Sequence, residues 1–258
     1  MKKTFCFTVD DNIRFLKELT EGNYPSVFDH PYLAMYRRLH ETYGVCVQLN
    51  LFYECENFTL SSMTEAYRAE FSENAHWLKM SFHSRIENVR PYVSSDYDEV
   101  FTDVMAVQSE IVRFAGERAL AKTTTIHYCL ATERGIEAMR DAGTLGLLGL
   151  YGTKEKPRLS YQTSEEDVER IRGGEIVYAD GVAYGGIDIV LNRYTTEENL
   201  LLLNAYLTRP HINVMIHEQY FYPDYHLYQK DFEEKLSRVF AALKAENYSS
   251  AFFENLIS

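Results

Sequence analysis

Residues 2–12, KKTFCFTVDDN, set two adjacent aspartates directly behind a run of alternating and branched apolar residues. The run predicts a strand over Thr4–Val9, so both carboxylates stand where a buried strand ends. The neighbouring segments show what kind of sheet this strand joins. Residues 12–19 read as a short helical or irregular segment and EGNYPS, at 21–26, as a turn. Asp29 then stands as a cap ahead of Pro31, and Leu33, Tyr36, Arg37 and Leu39 keep helical spacing as far as Tyr43. Gly44 stops that helix and residues 45–52, VCVQLNLF, read as the next strand, which completes a βαβ unit.

The alternation continues along the chain. Helices are predicted over 64–73, 96–114, 132–142, 196–207 and about 225–245, and strands over 78–82, 123–128, 145–150 and 212–216. Residues 152–195 break the rhythm with charge, glycine and two short β-like runs, EIVYAD and IDIVLN, expected as a hairpin laid on the body as an insertion. Strands alternating with helices imply a parallel sheet, either open and doubly wound or closed into a (β/α) barrel. In both, functional groups collect at the carboxyl ends of the strands.

Composition narrows the function classes. The chain has 258 residues, 46% hydrophobic and 25% charged, the make-up of an ordinary globular protein. Its formal charge of -12 repels phosphate backbones and anionic lipid, so no nucleic-acid or membrane partner is expected. The amino-terminal apolar run is too short for a secretory signal and no stretch approaches a transmembrane span, which gives a cytoplasmic expectation. Cys6, Cys46, Cys55 and Cys129 show no C-x-x-C spacing and read as structural thiols. With 20 Tyr and 15 Phe the chain has either an aromatic core or a cleft that stacks on sugar faces.

The predicted strand ends carry Asp10 and Asp11, His83 after WLKMSF, His127 in TTTIHYC, and His217 with Glu218 after INVMI. Carboxylates and imidazoles around one opening suit a divalent transition metal such as zinc, with positions left for water and substrate. In HSRIE, His83 and Glu87 stand at i and i+4, and would share a face if the loop after the strand turned helical. Bound metal would neutralise one aspartate and leave its neighbour free to accept a proton from the attacking water.

FTVDDN resembles the T-F-D-D-G signature of the polysaccharide deacetylases related to the nodulation-type chitooligosaccharide deacetylase, and other segments fall in that family's order. HSRIE is similar to its His-Ser-x-x-His segment, with Glu87 in place of the second histidine. VMIHEQYFYPDY resembles its Leu-x-His segment, at His217, and the stretch from Ile126 to Gly149 has the layout of its Arg-x-Pro segment without the Arg and Pro. The resemblance implies an irregular seven-stranded (β/α) barrel, here one domain with a small β insertion at about 152–195. It implies a metal-dependent hydrolase that removes an acyl group, as amide or ester, from a carbohydrate or related small molecule. Carried over, Asp10 is the base, His217 the acid, and Asp11 and His83 bind the metal. Glu87 is taken first as the third ligand and His127 second. Trp77, Arg90 or Tyr92, His127 and Tyr220 are candidate substrate contacts, though core packing is the commoner explanation for Trp77, a proline turn explains residues 90–92 equally well, and packing of the last helix also accounts for Tyr220. Two alternatives stand beside this reading: a metal-free glycoside hydrolase pairing Asp10 or Asp11 with Glu218, and an inactive carbohydrate-binding homologue.

Overall fold

Nine consecutive buried residues form β1, Thr4–Asn12, which outruns its apolar pattern and carries both aspartates inside the strand. The computed structural model describes residues 3–87, 92–152, 156, 158, 160–161 and 163–257. After β1 come α1 (Arg14–Glu21), α2 (Pro31–Tyr43), β2 (Val47–Cys55), β3 (Phe58–Thr59), α3 (Arg68–Glu73) and β4 (Leu78–Ile86). The chain continues through α4 (Tyr97–Ala115), β5 (Thr123–Thr124), α5 (Glu133–Asp141), β6 (Gly146–Gly149), α6 (Glu165–Arg172), β7 (Val177–Ala179) and β8 (Val182–Gly186). It ends with β9 (Ile189–Val190), α7 (Thr196–Tyr206), β10 (His211–His217), α8 (Phe232–Ala245) and β11 (Ser249–Ser250). No described helix is long and apolar enough to cross a membrane.

β1 is the hub of the first sheet. It pairs parallel with β2 on one side and β10 on the other, and β4 extends the sheet beyond β2 as β9 does beyond β10. The second sheet runs β5-β6-β8-β7, parallel except for β7. Two joints connect the sheets. Ala121 N donates to Met80 O at 2.8 Å on the approach to β5, and beyond β8 Ile187 N donates to Gly149 O at 2.8 Å, then Asp188 N to Asn213 O at 2.9 Å.

Alternation along β1 divides the surroundings. Phe5, Phe7 and Val9 join the main apolar core, where the Phe7 ring centre lies 5.0 Å from Phe240 of α8 and 6.0 Å from Tyr36 of α2. Each such side chain, fully buried, stabilises the fold by about 1.5–3 kcal/mol, so the rim above stands on a firm base. The opposite face carries Cys6, Thr8 and Asp10.

Some sequence expectations are corrected. His30, not Asp29, holds the N-cap position of α2; Asp29 instead accepts from Ser26 N at 3.1 Å in a capping box one turn earlier. The expected hairpin of EIVYAD with IDIVLN does not form: β7 pairs with β8, β8 with β6, and β9 with β10. Between those two runs, Gly185 and Gly186 belong to a strand and not to a turn. A Cβ at Gly185 would stand 2.6 Å from Phe253 Cζ, so the glycine serves close packing. Strand 123–128 shrinks to two residues, and within its expected span the backbone turns, with φ of 62° at Tyr128 and 56° at the following Cys129. The last helix starts at Phe232, not near Tyr225.

Candidate metal centre

In a regular strand adjacent side chains point to opposite faces, yet Asp10 and Asp11 both line one cleft. A bulge resolves this. The register of β1 against β2 shifts between Val9 and Asn12, and Asp11 takes the left-handed backbone, φ 62°, that aspartate tolerates better than most residues. Asn12 pins the bulge: its Nδ2 donates to Val9 O at 2.5 Å and its Oδ1 accepts from the Tyr32 hydroxyl at 2.8 Å. On the other side Asp10 stays in register with His217 of β10.

Asp11 Oδ1, His83 Nε2 and His127 Nδ1 form a nearly equilateral triangle. The separations are 3.0 Å from Asp11 to His83, 3.2 Å from Asp11 to His127 and 3.1 Å between the two rings. Ligands at right angles on an ion with bonds of about 2.1 Å stand about 3.0 Å apart, and tetrahedral ones about 3.4 Å. The triangle therefore fits three adjacent positions of a first-row ion and leaves others open.

Protons support the same use. His83 Nδ1 faces the Thr125 carbonyl at 2.5 Å and so carries a hydrogen, which turns the Nε2 lone pair of the neutral ring toward Asp11 and His127. Acceptors that converge in this way need an extra proton or a cation between them. Accordingly, burial opposes a charge on His83, but Asp10 and Asp11 outweigh it and raise its pKa. Burial would also push Asp11 up, yet the hydrogen bonds to His127 and His83 hold it well below the usual carboxylate range. Nε2 of His127 is buried with no hydrogen-bond partner among the described residues, so nothing else fixes that ring's tautomer. Gln219 Nε2 occupies the second Asp11 oxygen at 2.8 Å, which leaves Oδ1 to the cluster.

Asp10 has a different environment. Its Oδ1 accepts from Asn50 Nδ2 at 2.6 Å. The amide cannot turn over, because Asn50 Oδ1 already accepts from Ser81 Oγ at 2.6 Å and Gln48 Nε2 at 2.9 Å, and Gln48 in turn donates to Thr123 O at 2.8 Å. Burial raises the Asp10 pKa against the fields of His83 and His217, which suits a proton acceptor more than a ligand. His217 Nδ1 meets Asn192 Oδ1 at 2.8 Å, and Nε2 lies 3.9 Å from Asp11 Oδ2. Burial lowers its pKa, with Asp11 and Asp10 partly restoring it.

The cleft, of about 350 Å³, is lined by Asp10, Asp11, His83, His127, His217 and Tyr220 of the expected residues, and by Glu87 at its exposed rim. β4 stays extended through Ile86, so His83 and Glu87 share no helix face, and the cluster within mutual reach takes His127 instead. Trp77 is corrected from substrate contact to core: it precedes β4, at the end opposite His83, and stacks on His40 at 4.5 Å and Phe28 at 5.7 Å. Tyr92 is buried too, its hydroxyl donating to Asp103 Oδ2 at 2.9 Å and accepting from Arg85 N at 3.0 Å. Arg90 lies outside the described residues. Glu218, the second carboxylate of the glycosidase alternative, is spent elsewhere: it accepts from Ile13 N, Arg14 N and Phe15 N at 2.7, 3.0 and 2.8 Å, at the start of α1.

Sequence reasoning missed Asn50, Asn192, Gln219, Arg158 and Arg193. Polar residues interrupting the apolar strand VQLNLF signalled Asn50, since an inward asparagine in a buried strand needs partners. The others sit in turns that carry no periodic signal.

No family model matches the sequence, and no curated protein matches it. Solved structures do. A family 4 acetyl xylan esterase from Clostridium thermocellum, in complex with a cobalt ion, matches with TM-score 0.56 at 12% identity, over 98% of this chain and 90% of its own. A 4-alpha-glucanotransferase from Thermococcus litoralis matches with TM-score 0.62 at 11% identity; this chain is covered over 99% and spans 40% of that one. At these identities the likeness is one of fold: mixed α/β, with parallel sheets flanked by helices. The motif resemblance read from the sequence thus has a counterpart in architecture.

Proposed function

We propose that the chain is a metal-dependent hydrolase that removes an acyl group, as amide or ester, from a carbohydrate or related small molecule. The observation that carries this reading is the triangle of Asp11 Oδ1, His83 Nε2 and His127 Nδ1, with edges of 3.0 to 3.2 Å, at the carboxyl ends of parallel strands. These three residues would hold a divalent ion, zinc being the first choice for a carboxylate and two imidazoles. When bound, the ion supplies Lewis acidity and brings the pKa of water toward 7.

The protein's own residues then divide the proton work. Asp10, aimed by Asn50 and biased toward its protonated form, accepts the proton of the attacking water. His217, held at Nδ1 by Asn192, turns Nε2 toward the leaving amine or alcohol and, in its doubly protonated form, donates to it; the proton taken up by Asp10 then restores His217 for the next turnover. Both act on one substrate because β1 and β10 are adjacent and in register at these residues. In this reading the two sheets are arcs of one irregular seven-stranded barrel, β1-β2-β4-β5-β6-β8/β9-β10, in a single domain. The joints at Met80–Ala121 and at Ile187 and Asp188 support that closure. A cytoplasmic setting belongs to the same proposal and agrees with four free cysteines.

The test is elemental analysis of protein purified without chelators, followed by assay of acetate release from acetylated sugars. About one divalent ion per chain is expected, with turnover that Asp10→Asn lowers by about 10²- to 10⁴-fold while metal stays bound. Metal-free protein beside an occupied control overturns the reading. Bound metal without turnover on any acylated sugar turns it into the inactive binding homologue.

A further inference from the structure

The cleft that holds the cluster also carries two guanidiniums without a counter-ion among the described residues. Arg158 and Arg193 both line it, and among the described residues neither has a carboxylate within salt-bridge distance. By contrast, the partly buried Arg85, Arg172 and Arg209 are paired with Asp103, Glu169 and Asp188. Arg158 is anchored by donating from Nη2 to the Tyr128 carbonyl, across the turn that carries His127. Arg193 closes the turn Leu191–Arg193 and directly follows Asn192, the partner of His217.

At a formal charge of -12 the chain repels anions at long range, so holding one takes cations gathered at one mouth. A divalent ion in the cluster would cancel the charges of Asp11 and Asp10. Glu87 then remains as the carboxylate on the lining, against two guanidiniums. Guanidinium is the side chain best matched to a carboxylate, through paired N–H donors. We infer that the substrate is anionic: an acylated acidic sugar, or a related small molecule, whose carboxylate docks on Arg193 and Arg158 while its acyl group faces the cluster. The inference rests on the proposed hydrolase reading for the acyl group and for the ion that offsets Asp10 and Asp11; the acidic subsite itself stands on the arginines.

The test is calorimetric titration with methyl glucuronide and methyl glucoside, which differ in a carboxylate, in both zinc-loaded and chelator-treated protein. Glucuronide is expected to bind at least tenfold more tightly in zinc-loaded protein, with a smaller preference after chelation, where Asp10 and Asp11 are no longer offset. The Arg158→Gln/Arg193→Gln variant should lose that preference while keeping zinc affinity. Because Arg158 also braces the Tyr128 turn, Arg193→Gln alone is the second variant, and should lose at least threefold of the preference with unchanged thermal stability. Equal binding of the two glycosides to zinc-loaded protein, or binding of neither, overturns the inference, as does a preference that survives both variants. Failure of the hydrolase reading has a separate signature, the absence of metal or of acyl release.

Discussion

Asp11 and Glu218 are buried carboxylates at the carboxyl ends of neighbouring strands, and they are satisfied in opposite ways. Glu218 is met by three backbone amides and the Tyr222 hydroxyl, donors fixed by the fold, and burial still pushes its pKa up to about 7. Asp11 is met at Oδ1 by two imidazoles, whose protons can leave, and only at Oδ2 by an amide, that of Gln219; it is held well below the usual range. A carboxylate answered by amides has nothing to exchange and serves as a helix cap. One answered by imidazoles can trade their protons for a cation. The contrast separates the structural acid from the ligand even though Glu218 directly follows His217.

The largest effect should come from removing the exchangeable side. His127→Ala deletes one corner of the triangle, and metal affinity should fall by more than about 100-fold, beyond the 10- to 100-fold typical of outer-shell changes. Turnover should fall with it, whereas Glu218→Gln should keep its metal. Metal titration against a chromogenic chelator measures both. Full affinity in His127→Ala would return the third position to another residue and dissolve the contrast.

The second effect is on stability and sharpens the other arm. A carboxyl whose folded pKa lies above its unfolded value stabilises the fold in full below the unfolded pKa and loses that contribution as pH rises through the folded one. For Glu218 the window runs from about 4.5 to about 7, worth roughly 3 kcal/mol of unfolding free energy lost with rising pH. Asp11 has the opposite sign, since its stabilisation is lost only as pH falls below the usual carboxylate range. Asp188, raised to about 6, adds a slope of its own, so the quantity to read is wild type minus Glu218→Gln in urea unfolding across that window. If the difference rises with pH, the amides of α1 outweigh burial and Glu218 is a charged cap.

The same two carboxylates show which parts of the molecule are legible in its sequence. β1, α2, β2 and β10 are readable because each buries a regular apolar stripe, and parallel pairing then fixes which ends share a rim. Asp10, Asp11, His83, His127 and His217 follow from that one rule. Illegible are the features that break periodicity: the bulge at Asp11, the turn at Tyr128, and the β8 strand that ends in Gly185–Gly186. Glu218 is named at its strand end, but its role as a cap escapes sequence reasoning for a related reason. Its partners are backbone amides 203 to 205 positions away, which side-chain spacing does not encode.

The smallest effect is the sharpest check on the ranking of the third ligand. The case for Glu87 assumes that i and i+4 share a face, which holds on a helix. In an extended strand, which β4 is through Ile86, four residues span about 13 Å, too far for one ion to bridge through short side chains. Glu87 is also exposed at the rim, where a carboxylate keeps its hydration and gains little by coordinating. Glu87→Gln should therefore leave metal stoichiometry unchanged and alter turnover on a neutral ester by less than about twofold. A loss of metal affinity comparable to that of His127→Ala would mean that Glu87 itself reaches the bound ion, and that the triangle is only part of the true coordination set.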